Sequence, residues 1–419
     1  MDTFNYRDNL LFCEDVSLSE IAAEFGTPCY VYSKSFLVAR CQAYADAFAA
    51  HKHLICYSVK ASSNVNLLKI FAEQDLGCDI VSGGELFRAK LAGISGQKIV
   101  YSGVGKTPAE IKSALEYGIL FFNVESESEL LLIDEIAGQI GVVARVALRV
   151  NPDVDPLTHP YISTGMKENK FGIAIADAER IYIEGTSNLE NIKFVGVDCH
   201  IGSQLTNLSP FRDAALRVKN LILRLRKHNI QLDYVDVGGG LGVLYDNESV
   251  PEVVHLADIL IDVFADLGLT LVLEPGRSMV ANSAVMLTRV QYLKDNADKR
   301  FAIVDAGMND LLRPSLYDAY QKIVKVNEEE QAGKPLFLYD IVGPICESGD
   351  FLAKSRNLLA LEQGDLLAVK SAGAYGFSMA SNYNSRPRPV ELLVNGDQLT
   401  VIRERESFED LVKGESFGS

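Results

Sequence analysis

A chain of 419 residues, 48% hydrophobic and 23% charged, has room for two or three domains and a sizeable core. Its 40 basic and 56 acidic residues leave a net charge of −16, which argues against nucleic acid or an anionic membrane as the main partner. Seven cysteines that never form a Cys-x-x-Cys pair, with histidines that lack metal-ligand spacing, suggest neither a disulfide framework nor a metal site.

Met1 to Ser19 carries Asp2, Asp8, Glu14 and Asp15 and no basic segment, so it does not read as a signal peptide. No apolar run is long enough to span a bilayer, and a reduced cytoplasm is the expected compartment. Leu10-Leu11-Phe12 is a candidate strand that joins the C-terminal part of the chain. From residue 28 to 276, short apolar runs alternate with amphipathic stretches. The strand-like runs are Ile55–Val59, Gly77–Val81, Ile99–Ser102, Phe121–Val124, Val143–Val150, Phe194–His200, Tyr234–Val237 and Thr270–Glu274. Helical patterns such as Gly84–Ala92, Pro108–Tyr117, Glu127–Ala137, Pro210–His228 and Pro251–Leu267 lie between them. Near-continuous apolar strands separated by helices predict a parallel sheet covered on both faces. Eight such units fit a closed (β/α)8 TIM-type barrel, with a doubly wound open sheet as the alternative. From 277 to 405 the texture becomes strand-rich, with runs at Val285–Leu293, Phe301–Asp305, Phe337–Val342, Asp365–Ser371, Val390–Val394 and Gln398–Ile402. This predicts a second, mainly antiparallel β-sandwich or β-barrel domain, to which residues 1–27 belong.

Barrel active sites form at the C-terminal ends of the strands. Here those ends carry Lys60, then Asp79 with Glu85 after Ser82-Gly83-Gly84, then Arg149. His200 with Ser203, the run Gly238-Gly239-Gly240-Leu241-Gly242, and Glu274-Pro275-Gly276-Arg277 complete the set. Taken singly, each has a plain reading: a solvated lysine, a core histidine, a salt-bridged glutamate, a tight turn. Six polar or glycine-rich ends out of eight point instead to chemistry. Partial desolvation of Lys60 would free an amine lone pair. The glycine run offers unobstructed N–H groups suited to a phosphate. Its Gly-x-Gly-x-Gly spacing, after the seventh strand, is not a dinucleotide fingerprint. Gly103-Val104-Gly105-Lys106-Thr107 is not a phosphate loop, because the position five before Gly105 is Val100. A buried carboxylate such as Glu274 would keep a pyridinium nitrogen protonated. In the β region, Cys346 and Glu347 stand in the Gly/Pro-rich turn Val342-Gly343-Pro344-Ile345-Cys346-Glu347-Ser348-Gly349-Asp350, poor company for a core cysteine. Arg313 and Tyr317, four apart, share one helical face, and Tyr375 sits in Ala372-Gly373-Ala374-Tyr375-Gly376.

In order and number these motifs resemble the diaminopimelate decarboxylases, a branch of the pyridoxal-phosphate-dependent enzymes built from an alanine-racemase-like barrel and a β domain. The resemblance runs from Tyr57-Ser58-Val59-Lys60-Ala61 to Arg386-Pro387-Arg388-Pro389 and includes His159-Pro160-Tyr161-Ile162-Ser163-Thr164-Gly165 and Lys170-Phe171-Gly172. It implies that Lys60 holds pyridoxal 5'-phosphate covalently, that His200 stacks on the cofactor ring, and that Glu274 faces the ring nitrogen. Asp79, Ser203, Gly239, Gly240, Pro275, Gly276, Arg277 and Tyr375 would surround the cofactor or the substrate carboxylate. Arg277, Arg313, Tyr317, Glu347 and Tyr375 would bind substrate, and Cys346 would donate the proton. It further implies a homodimer in which Cys346 and Glu347 reach the active site of the partner subunit. The implied reaction is decarboxylation of meso-2,6-diaminopimelate to L-lysine, the last step of lysine biosynthesis. Arg277 and Arg313 suit a substrate with a distal carboxylate. An ornithine or arginine decarboxylase would need acidic or neutral groups there. A racemase would use a tyrosine base, and a regulatory mimic should lack Lys60 or Cys346.

Overall fold

The computed structural model describes residues 3–154, 170–296, 299–328 and 335–416. The motif His159–Gly165 lies outside them. The chain forms two compact units: one is Val38–Val243 with Ser249–Met279, and the other is Met1–Leu37, Leu244–Glu248 and Val280–Ser419.

The first unit is a parallel barrel. Its strands run His53–Ser58, Gly77–Ile80, Ile99–Tyr101, Phe121–Val124, Ala144–Asn151, Ile192–Asp198, Tyr234–Asp236 and Thr270–Leu273. Each pairs in parallel with the next, and Thr270–Leu273 returns to His53–Ser58, which closes the ring. A two-residue strand, Ile173–Ala174, extends the end of Ala144–Asn151. Closure satisfies every edge and buries both faces. Gly77–Ile80, Ile99–Tyr101 and Phe121–Val124 are accordingly buried at every residue. The helices between strands start and stop where local chemistry dictates. Pro108–Tyr117 begins with a Thr107/Glu110 capping box and ends at Gly118 in the left-handed conformation. Glu127–Ile140 is capped by the Ser126 hydroxyl and ends at left-handed Gly141. Such caps are each worth about 1 kcal/mol.

The predicted strand ends shift by a residue or two, with one consequence for the site. The first strand stops at Ser58, and Lys60 lies in the single 3-10 turn Val59–Ala61 that follows.

The second unit is a mainly antiparallel sheet built around the long strand Ala284–Asn296. That strand pairs with Cys29–Ser33 and Leu366–Val369 near its start and with Lys299–Val304 near its end. Leu336–Val342 and Phe351–Leu359 extend one side, Val390–Asn395 and Gln398–Arg403 the other, and Ile323–Lys325 pairs with Leu366–Val369. Cys29–Ser33 is thus a strand of this unit and not of the barrel. Leu10–Cys13 forms its own three-stranded antiparallel sheet with Phe4–Arg7 and Val16–Ser17, and an isolated bridge joins Leu10 to Asn327, two residues past the strand Ile323–Lys325. Leu11, Leu18, Val31, Val285, Leu287, Leu392 and their neighbours fill the core.

Candidate active site

The C-terminal ends of the barrel strands gather the ionisable residues. Lys60 Nζ lies 2.9 Å from Asp79 Oδ2, and the Ser58 hydroxyl reaches that same oxygen at 2.7 Å and the Glu274 carbonyl at 3.0 Å. Burial of Asp79 is affordable because its carboxylate has these partners. Glu85, five residues past the strand Gly77–Ile80, turns its carboxylate back to accept the Val81 N–H at 2.7 Å, and burial pushes it up to about 7.

Glu274 follows the strand Thr270–Leu273 and is buried. Its Oε1 accepts from Ser102 Oγ at 3.1 Å and Asn123 Nδ2 at 3.2 Å. Burial, then the charge of Asp79, pushes its carboxyl up to about 7, opposed by Lys60 and Arg149. His200 lies two residues past the strand Ile192–Asp198, and its Nδ1 accepts the Gly239 N–H at 3.1 Å. Burial, reinforced by the positive charges of Arg149 and Lys60, holds the imidazole well below its ordinary range, so it is neutral at pH 7. That hydrogen bond also fixes the tautomer, with the remaining proton on Nε2.

The glycine run is shaped by close backbone approach. A Cβ on Gly239 would meet the Glu274 carbonyl oxygen at 2.2 Å, and Gly240, at φ +118°, would meet the Gly202 carbonyl oxygen at 2.5 Å. Pro275 and Gly276 turn the chain beside the first strand: the Pro275 carbonyl accepts the Ser58 N–H at 3.1 Å, and a Cβ on Gly276 would touch the side chains of Ser58 and Ala61. Arg277 donates from Nε and Nη2 to Ser203 Oγ at 3.4 and 3.1 Å. One end of the barrel therefore brings together Lys60, Asp79, His200, Ser203, Gly239, Gly240, Glu274, Pro275, Gly276 and Arg277.

The other candidates group within the second unit. Arg313 opens the short helix Arg313–Tyr317. Its guanidinium carbon is 5.7 Å from the Tyr317 ring centroid and 5.9 Å from those of Tyr245 and Tyr375. Three aromatic faces around one guanidinium restrict where it points. Tyr375 holds φ +56°, a strained conformation for a bulky residue, of a kind found at functional sites. Cys346 is exposed, whereas the other six cysteines are buried. Its turn is pinned by Asp350, whose carboxylate accepts the Met308 and Ile345 N–H groups at 2.6 and 2.7 Å. The Cys346 N–H is held by Asn384 Oδ1 at 2.8 Å, and the Glu347 carboxylate accepts the Gly349 N–H at 3.3 Å.

Sequence reasoning missed Ser58, Ser102 and Asn123. Each is a small polar residue in or beside an apolar run, and the signal was there: a buried polar side chain on a barrel strand needs a partner.

A pyridoxal group fits this donor set. It calls for an amine, a buried carboxyl, an uncharged flat imidazole and glycines where side chains cannot stand, all at one end of one barrel. The model of the pyridoxal-binding domain of pyridoxal-dependent decarboxylases matches residues 34–281. A diaminopimelate decarboxylase from Pseudomonas aeruginosa is 54% identical, over 99% of this chain and 99% of the relative. Among solved structures, diaminopimelate decarboxylase from M. jannaschii superimposes with TM-score 0.94 at 38% identity, covering 100% of this chain and 98% of the other. The Helicobacter pylori diaminopimelate decarboxylase solved with L-lysine gives TM-score 0.90 at 44% identity, covering 94% and 98%. With kinship over nearly its whole length and the barrel-end residues in place to suit it, the chain belongs to the diaminopimelate decarboxylases of the pyridoxal-dependent decarboxylase family.

Proposed function

We propose that the chain decarboxylates meso-2,6-diaminopimelate to L-lysine and carbon dioxide, with pyridoxal 5'-phosphate held on Lys60. The observation that carries this reading is the grouping of Lys60, neutral His200 and buried Glu274 at one barrel end in a chain so close to its curated relatives.

When bound, the cofactor supplies an electron sink for the bond to the departing carboxylate. The protein's own residues do the rest. Lys60 Nζ holds the cofactor and later releases the product. Asp79 keeps that nitrogen in place. Glu274 supplies the negative charge that keeps the ring nitrogen protonated, and His200, neutral and fixed through Nδ1, offers a flat face for the ring. Ser203, Gly239, Gly240, Gly276 and Arg277 surround the phosphate. Arg277, Arg313, Tyr317, Glu347 and Tyr375 take the substrate: the guanidinium groups match its carboxylates, and Glu347 suits the distal ammonium. Cys346 returns the proton to the carbon that has lost its carboxylate. In this reading the working form is a cytoplasmic homodimer, with Cys346 and Glu347 serving the active site of the partner subunit.

The stacked guanidinium of Arg313 favours a substrate with a distal carboxylate over ornithine or arginine. A single-turnover assay with meso-diaminopimelate, following L-lysine and carbon dioxide together, tests the assignment. Stoichiometric release of both is expected. Stereoinversion without carbon dioxide, or faster turnover of ornithine, overturns it. Arg313→Ala should raise KM for diaminopimelate far more than it lowers cofactor content.

A further inference from the structure

Three neighbouring barrel strands end in acids. Asp198 and Asp236 are direct register partners at the ends of Ile192–Asp198 and Tyr234–Asp236, and Glu274 follows the next strand. One carboxylate oxygen from each lies within 4.8 Å of the others, and all three side chains are buried.

The cations near them are already engaged. Arg149 Nη1 is 2.6 Å from Glu125, while its Nε is 3.8 Å from Asp198. Lys60 is paired with Asp79. His200 is neutral, and Cys56 and Cys199, which face the same charges, are held as thiols by burial. Glu85, beside Asp79 and Lys60, adds a further acid. Among the described residues, five buried carboxyl groups (Asp79, Glu125, Asp198, Asp236 and Glu274) thus share buried Arg149 and half-exposed Lys60, while half-buried Glu85 also has Arg88 beside it. Like charges so close cannot all persist there. Burial first, then the charge of Glu274, pushes both Asp198 and Asp236 well above the ordinary carboxylate range.

Asn123 connects these acids to the site. Its Nδ2 reaches Glu274 Oε1, Asp236 Oδ2 and Ser102 Oγ at 3.2, 3.2 and 3.1 Å. Three sealed acceptors in the same region, Asn123 Oδ1, Asp198 Oδ1 and Asp79 Oδ1, receive no N–H or hydroxyl among the described residues. A carboxylic acid O–H is the donor such acceptors lack.

We propose that Asp198, Asp236 and Glu274 form one proton-sharing unit under the catalytic mouth, with protons retained on the two aspartates and the charge carried by Glu274, and that Asn123 is the positioning residue that orients Glu274. Its bearing on the reaction rests on the reading of Glu274 as the partner of the cofactor nitrogen; the proton count does not.

Infrared spectroscopy of the purified full-length protein at pH 7 reads the protons directly, as the C=O stretch of buried carboxylic acids. Wild type should show this band, and Asp198→Asn and Asp236→Asn should each remove a component of it while the fold is kept, since asparagine mimics a neutral acid. Absence of the band in wild type, or a band untouched in both variants, overturns the proposal. In the loaded enzyme, Asp236→Asn should leave the acid limb of the pH–rate profile in place, because one neutral group replaces another, whereas a limb moved to lower pH would show Asp236 charged and overturn the placement of its proton. Asn123→Ala should shift that limb and lower kcat with little change in KM, whereas a merely structural role would leave the limb in place. Loss of decarboxylation in wild type with the band intact would sink the functional reading alone.

Discussion

The ammonium of Lys60 and the carboxylate of Asp79 meet at 2.9 Å, with the lysine side chain 36% exposed and the aspartate fully buried. The asymmetry means that the two ends of the pair do not fail alike. Removing Lys60 strands a buried carboxylate, whereas removing Asp79 leaves a lysine that water can reach.

Lys60→Ala is therefore expected to cost stability, and adding Asp79→Asn should recover part of it, with a coupling of about 1–3 kcal/mol in a double-mutant cycle. Denaturant midpoints of the four proteins measure this. Additive effects would show that the pair carries no energy. The same lysine has a chemical readout. Borohydride should fix the cofactor to wild type, on the peptide that contains Lys60, and fail to fix it to Lys60→Ala, which should also lose turnover.

The barrel strands were legible because closure buries both faces, so their sequences are mostly apolar. The site was legible wherever a charge ended such a run. Lys60 shows the limit: apolarity continues through Val59 and Ala61, so only the structure reveals that the strand stops at Ser58 and a 3-10 turn presents the amine. Phe351–Leu359 was not anticipated, since its alternation is broken by register shifts opposite Tyr339–Val342 and by Ser355 at φ +51°. Cys29–Ser33 is buried at every residue, as a barrel strand would be, and nothing local says which sheet takes it. Asn123 was hidden because it is a neutral residue inside an apolar strand, and its partners come from strands far away in sequence.

The raised carboxyls give a pH dependence of definite sign. Glu274 and Glu85 both rise from an ordinary 4.5 to about 7, chiefly through burial. An acid that binds its proton more tightly in the fold than in the unfolded chain stabilises the fold fully below pH 4.5, and loses that contribution as pH climbs to about 7. Calorimetry of cofactor-free protein should thus show Glu274 and Glu85 lowering Tm across that window. Glu274→Gln and Glu85→Gln should each flatten the decline, and a slope unchanged in both would mean that neither acid is raised.

Two glycines separate close approach from simple flexibility. A methyl group on Gly239 collides with the Glu274 carbonyl oxygen, while one on Gly105 meets nothing within 4 Å. Gly239→Ala should cost about 1–3 kcal/mol and weaken cofactor retention. Gly105→Ala should stay within about 0.5 kcal/mol of wild type. Denaturant midpoints and the cofactor bound after dialysis check both, and an unaffected Gly239→Ala would show that the loop can yield.

Cys346 is the one exposed cysteine among seven, so a thiol-specific reagent should label one sulfur per native chain and seven after unfolding. The Asp350-pinned turn explains why: it has its own hydrogen bonds, through Met308, Ile345 and Asn384, and needs no cysteine to hold it. Cys346→Ala should then leave Tm close to wild type while turnover falls by about 10²–10⁴, the range for a lost proton donor. Cys346→Ser keeps a proton but on a far weaker acid, so it should recover little. Labelling should abolish turnover in step with the loss of that single thiol. If the labelled enzyme or Cys346→Ala decarboxylates at the wild-type rate, the proton comes from elsewhere, and the exposure of Cys346 has another reason.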